Sequence, residues 1–336
     1  MSQNNRLEYI DFAKGIGIIL VIFVHASAAC GVPYFIFKDA IAASFMPLFF
    51  FCSGFFFRTY DSTKNFICKK VYTLLVPFLF FHIVSCFILP ILNNYSFEWR
   101  QIYDFLFGGF HYPNVPLWFV ICLFDVSIIY YILYILTIKT RCQLIILVFV
   151  SVLLGVLGYA IGMWHRIELP LKFDTALTVM PYYCIGHVFS SQTIVIQSSK
   201  QGKYLLLLAI VSWVLCCLLA SDAAYFINSY SMPIQNVYLA AFCGIFFYIS
   251  LSRYVNYLPL INFLGRYSLI ILLTHSPYVQ RLMPLLFRLG ISVWWINTLL
   301  CTIIVSVSYL LFVPLACKYI PYVIGQKWEG ICCKTK

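Results

Sequence analysis

Lys14 and His25 stand eleven residues apart inside the first apolar segment of the chain. Ionisable side chains are costly in a bilayer, so each marks a functional site by default. Eleven residues at about 100° each complete roughly three turns, which sets both side chains on one helix face, about 16 Å apart along the axis. A lysine offers a point charge to an anion, and an imidazole offers a base or an acid near neutral pH. Each residue also has a plainer account. Asp11 lies three positions before Lys14 and can pair with it at the membrane surface. His25 lies about 21 Å up a helix starting near Asp11, where a neutral imidazole needs hydrogen-bond partners. Catalysis, ligand binding and an interhelical hydrogen bond all meet that need, and spacing alone leaves them open.

Other polar residues fall in apolar surroundings. His275 precedes Ser276-Pro277 in a late apolar segment, where it can orient a site or form a structural hydrogen bond. Asp125, seven residues after Trp118, is a carboxylate inside a span. His82 and His187 read as packing histidines. Arg58, Lys64, Lys69 and Lys70 form a basic cluster suited to a phosphorylated donor or to lipid headgroups. Just before it, Pro47 and Ser53-Gly54 are expected to interrupt the second apolar segment and free backbone groups that must line a polar cavity.

These residues must be positioned by membrane helices. The chain has 336 residues, 63% hydrophobic and 10% charged, too apolar for a water-soluble domain. At about 20 residues per span, ten stretches qualify, near 12–31, 39–57, 71–92, 116–137, 143–162, 174–193, 203–220, 234–251, 263–284 and 291–317. The expected fold is an all-α polytopic membrane protein, one integral-membrane domain over 1–336 with no separate soluble domain. Placing the N-terminus in the cytoplasm puts sixteen of the 22 basic residues on that side, so both termini are expected to be cytoplasmic. The net charge of +11 is then mainly a topology signal, and no basic run with interleaved aromatics suggests nucleic acid. The Ala26-Ser27-Ala28 sequence imitates a cleavage site, but Glu8 and Asp11 spoil the positive region a signal peptide needs, so the segment reads as a retained helix. The longest loops run over 93–115 and 58–70. The first carries Glu98, Trp99, Arg100, Asp104, Gly108, Gly109 and His111, a mixture suited to a sugar but also to an interfacial belt. The 14 cysteines lack metal-ligand spacing and read as buried small hydrophobes, with Cys332-Cys333 a candidate for acylation. No metal is expected.

Several patches occur together in one order. They are Asp11-Phe12-Ala13-Lys14-Gly15-Ile16 leading to His25, then Met46-Pro47-Leu48-Phe49-Phe50-Phe51-Cys52-Ser53-Gly54 followed by Arg58. Lys70 to Leu75 with Pro77, Pro116-Leu117-Trp118-Phe119, the Tyr182-to-Gly186 turn, and Phe263 to Ser268 running into Leu273-Thr274-His275-Ser276-Pro277 complete the series. In these the chain resembles the membrane acyltransferase 3 family, and within it the fucose 4-O-acetylase-like proteins of polysaccharide modification. The resemblance implies a multi-pass O-acyltransferase of the cell inner membrane, moving an acyl group, usually acetyl from acetyl-CoA, to a hydroxyl of a surface or lipid-linked glycan. It implies His25 as general base or acyl acceptor, with Lys14 the basic residue of the family signature; by charge and position, Lys14, Arg58 and Lys70 are the candidate contacts to the CoA phosphates. Ser53, Trp118, Asp125 and His275 would line the acyl and acceptor cavity. The chain departs from its relatives in carrying Lys14 where Arg is commoner, and Ser44-Phe45 before Met46 where a His is common. By composition alone, a transporter or flippase of lipid-linked sugar would look similar.

Overall fold

Each of the ten apolar stretches is mostly helix among its described residues. The computed structural model describes residues 7–31, 35, 37–93, 114–165, 169–192, 202–290 and 293–325. Its helices are α1 (Glu8–Ala29), α2 (Lys38–Phe55), α3 (Thr63–Lys70), α4 (Val76–Asn93), α5 (Trp118–Thr137), α6 (Gln143–Ala160), α7 (Phe173–Gln192), α8 (Gly202–Leu219), α9 (Ile234–Val255), α10 (Pro259–Arg266), α11 (Ser268–Arg288) and α12 (Trp294–Tyr319). The one sheet among the described residues is a ribbon of β1 (Ala223–Ala224) and β2 (Ser229–Tyr230). Seven helical segments are long and apolar enough to cross a membrane. α2, α7 and α11 are not among them. They carry the polar load: Lys38 and Asp39 on α2, Asp174, Thr175, Thr178 and His187 on α7, and His275, Gln280, Arg281 and Arg288 on α11.

Three sequence expectations are corrected. Pro47 and Ser53-Gly54 do not interrupt α2, which runs unbroken to Phe55. Membrane helices absorb a proline when neighbours satisfy the freed carbonyl. Gly54 serves close packing instead: a β-carbon there would collide with the Tyr183 carbonyl. The stretch at 263–284 is two helices, because Tyr267 sits between them at φ −109° and ψ 20°, outside helical geometry. Residues 63–70 are not loop but α3, started by Ser62, whose Oγ accepts from the Asn65 N–H at 3.2 Å. α3 continues without a break through a π-helical turn, Val71–Leu75, into α4; the Val76 N–H reaches back five residues to the Val71 carbonyl.

The chain divides into two compact units. The first comprises Met1–Cys52, Thr193–Ala223 and Ser231–Leu311. Within it α1 packs on α9, α10 and α11, and α8 packs along α9. Ile10, Phe12, Ile18, Ile22, Leu264, Ile271 and Leu273 are fully or nearly fully buried there. The second comprises Ser53–Gln192, Ala224–Tyr230 and Phe312–Lys336. In it α7 packs on α5 and α6 around Phe66, Phe78, Tyr130, Tyr182 and Tyr183, all fully buried. The loop residues Glu98, Trp99, Arg100, Asp104, Gly108, Gly109 and His111, and the Cys332-Cys333 pair, lie outside the described residues.

Candidate active site

α1 begins with Glu8 and Asp11 in its first turn, where carboxylates complement the positive end of the helix dipole. α10 crosses this end at backbone contact. Gly15 faces the Ile261 carbonyl and Gly265 faces the Asp11 carbonyl, each so closely that a β-carbon has no room. Asn262 fixes the crossing: its Nδ2 donates to the Glu8 carbonyl at 2.8 Å and to Glu8 Oε2 at 2.9 Å, while its Oδ1 accepts from the Leu258 N–H at 2.9 Å. Lys14 Nζ pairs with Asp11 Oδ1 at 2.9 Å, with the Asp11 side chain 4% and the Lys14 side chain 18% exposed. The pairing expected from the spacing of three is therefore formed, and Lys14 keeps an open edge.

Three turns further along, His25 lies half-buried on the same helix. Its ring meets that of His275 on α11, centroid to centroid 4.9 Å, inclined at 65°. His275 is fully buried, and its Nδ1 lies 3.0 Å from both the Ile271 and the Leu272 carbonyls. Carbonyl oxygens only accept, so Nδ1 carries the hydrogen. His275 Nε2 is buried without a hydrogen-bond partner. Next to it, Thr274 Oγ1 shares a 2.7 Å hydrogen bond with the Tyr309 hydroxyl and ties α11 to α12. Among the described residues none hydrogen-bonds the His25 ring, so the first unit holds a histidine pair with unused hydrogen-bonding capacity.

Arg58, Lys70, Ser53, Trp118 and Asp125 belong to the second unit. Arg58 is exposed just beyond α2. Lys70 ends α3 with its Nζ 5.5 Å above the Phe66 ring. Phe66 stacks on Tyr131 of α5 at 3.9 Å and 11°. Ser53 is half-buried in the last turn of α2, and Trp118 is buried as the first residue of α5. Asp125 is 9% exposed, and its Oδ2 has no hydrogen-bond partner. His187 receives a partner, the Tyr130 hydroxyl at 2.7 Å from Nδ1, as a packing histidine would.

One residue in this unit escaped the sequence reading. Lys172 is fully buried. It follows Leu171 at the foot of α7, and both sit in the left-handed region at φ 62° and 59°, uncommon for residues with side chains. Lys172 stands two positions before Asp174, which is also buried. The available signal was Pro170 two residues before a charge at the edge of an apolar run, but a lysine there ordinarily faces water.

A family model, Acyl_transf_3, described as an acyltransferase domain, matches residues 7–313. The chain belongs to the acyltransferase 3 family. No curated protein and no solved structure matches it. Membership makes this acyltransferase 3 protein a transferase, and its long apolar helices make it a membrane one. The matched residues include Lys14, His25, Ser53, Arg58, Lys70, Trp118, Asp125 and His275.

Proposed function

We propose that this acyltransferase moves acetyl from acetyl-CoA to a hydroxyl of a cell-surface or lipid-linked glycan, in the manner of the fucose 4-O-acetylase-like subgroup, with His25 as general base. The protein sits in the inner membrane with ten spans and both termini in the cytoplasm. The observation that carries the reading is His25 itself, a half-buried imidazole with unused nitrogens on a membrane-length helix, three turns above Lys14 on one face.

The reaction balances simply. His25 takes the proton of the acceptor hydroxyl as the oxygen attacks the thioester carbonyl. The C–O bond forms, the C–S bond breaks, and the proton passes from His25 to the departing thiolate, which leaves as CoA. Lys14, Arg58 and Lys70 supply positive charge for the phosphates of the donor, as point charges in the lysines and as a fork in Arg58. Ser53, Trp118, Asp125 and His275 are each proposed as contacts for the acyl group or the acceptor. Exclusion of water by the apolar helices favours transfer over hydrolysis.

Purified protein in lipid, given radiolabelled acetyl-CoA and a lipid-linked glycan fraction, is expected to release CoA and label the glycan, with both signals lost in His25→Ala. Glycan movement across the bilayer without CoA release, unaffected by His25→Ala, would overturn the reading. Comparing glycan masses from cells with and without the gene identifies the group: a loss of one acetyl per modified sugar supports it, and any other mass change contradicts it.

A further inference from the structure

The histidine pair has a definite chemical polarity. His275 is fully buried, and its Nδ1–H is committed to the carbonyls of Ile271 and Leu272, both at 3.0 Å on its own helix. A neutral imidazole with hydrogen on one nitrogen carries a lone pair on the other. His275 Nε2 is thus an acceptor only, and it is buried with no hydrogen-bond partner. An unmet acceptor in such a place costs on the order of 1–3 kcal/mol. The ring in contact with it is His25, at a centroid separation of 4.9 Å. The His25 nitrogens are equally unmatched among the described residues. A centroid separation of 4.9 Å is within the span of an imidazole-to-imidazole N–H···N bond.

We propose that His275 is a positioning residue: its Nε2 accepts the N–H of His25, selects one tautomer of His25, and leaves the opposite His25 nitrogen as the lone pair that meets the acceptor hydroxyl. The proposal rests on the reading of His25 as base. It gives His275 a role distinct from lining a cavity. When His25 takes the hydroxyl proton, the same hydrogen bond becomes charge-assisted and stabilises the imidazolium without moving a proton to His275. A base oriented by a third group is the general arrangement for activating a hydroxyl. Here the third group is a neutral ring whose own tautomer is set by helix backbone, so no buried carboxylate is needed beside the base.

Two measurements on the full chain in lipid nanodiscs test this. The first is nitrogen NMR of protein labelled at its six histidines, with the His25 signals assigned by their loss in His25→Gln. Wild type is expected to show His25 in one tautomer, His275→Phe to show a mixture of two, and His275→Gln, whose side-chain carbonyl can accept in place of Nε2, to restore one. The second is acetyl transfer: His275→Phe is expected to lower kcat by roughly a hundredfold with KM within twofold, and His275→Gln to recover at least a tenth of wild-type kcat. An unchanged His25 tautomer in His275→Phe overturns the proposal, whatever the activity. Absence of acetyl transfer in wild type, with the tautomer still responding to His275→Phe, overturns the assigned reaction and supports the pair. Unchanged circular dichroism and thermal midpoint in His275→Gln show that the helices have folded.

Discussion

At its N-terminal end α1 is clamped: Asn262 ties Glu8 to the start of α10, Gly265 rests on the Asp11 carbonyl, and Lys14 is held by Asp11. Three turns above, the same helix presents His25 to His275 with lone pairs and N–H groups that neither ring answers fully. The contrast separates two tasks that one helix performs. Backbone-to-backbone contact fixes where the helix stands, and polar groups left unmatched at the other end remain available to a substrate. Stability is expected to concentrate at the clamp and activity at the pair, so substitutions should sort accordingly.

The largest effect is expected from His25→Ala, which should cut acetyl transfer about a thousandfold or more while leaving the thermal midpoint in nanodiscs nearly unchanged. A variant that keeps a tenth of wild-type turnover would erase the distinction between the two ends. Gly265→Val should act at the clamp instead. Its β-carbon meets the Asp11 carbonyl, and forcing α10 outward should cost about 3 kcal/mol or more, seen as loss of the monodisperse peak in detergent size-exclusion. Folding of this variant at wild-type yield would mean that the crossing tolerates separation. Asn262→Ala removes one side chain's three hydrogen bonds and should cost roughly 1–2 kcal/mol. Calorimetry should show the lower midpoint, with kcat within a factor of two of wild type. Lys14→Arg should matter least. The ion pair to Asp11 is kept, stability should stay within about 0.5 kcal/mol, and the forked donor should shift only the KM for acetyl-CoA, by a few-fold.

Much of this architecture is written in local pattern. The run from Phe12 to His25 declares a helix by apolar length, and the three-residue step from Asp11 to Lys14 declares the ion pair that forms. The features that escape a linear reading depend on distant chain. Nothing near His25 points to His275, some 250 positions later, because helical spacing reports faces and not neighbours. Tyr267 divides what reads as one span, and the two helices on either side of it, α10 and α11, each pack on α1. Gly54 resembles a helix breaker in isolation, and only the Tyr183 carbonyl beside it shows why a side chain is excluded. Lys172 is hidden by backbone turns at Leu171 and Lys172 that few sequences would suggest.

The π-helical turn at Val71–Leu75 carries a different lesson. Thr73 Oγ1, within this turn, donates to the Lys69 carbonyl at 2.8 Å. Such a turn holds about one residue more than an α-turn, so everything before it is advanced by about 100° relative to everything after. Lys69 and Lys70 therefore project from a side of the helix that α4, extended backwards, would assign to other residues. Removing a single residue such as Thr73 would leave a straight, continuous helix and swing its basic end by that same angle. The heading of those two charges is set by a count of residues, which one deletion would change.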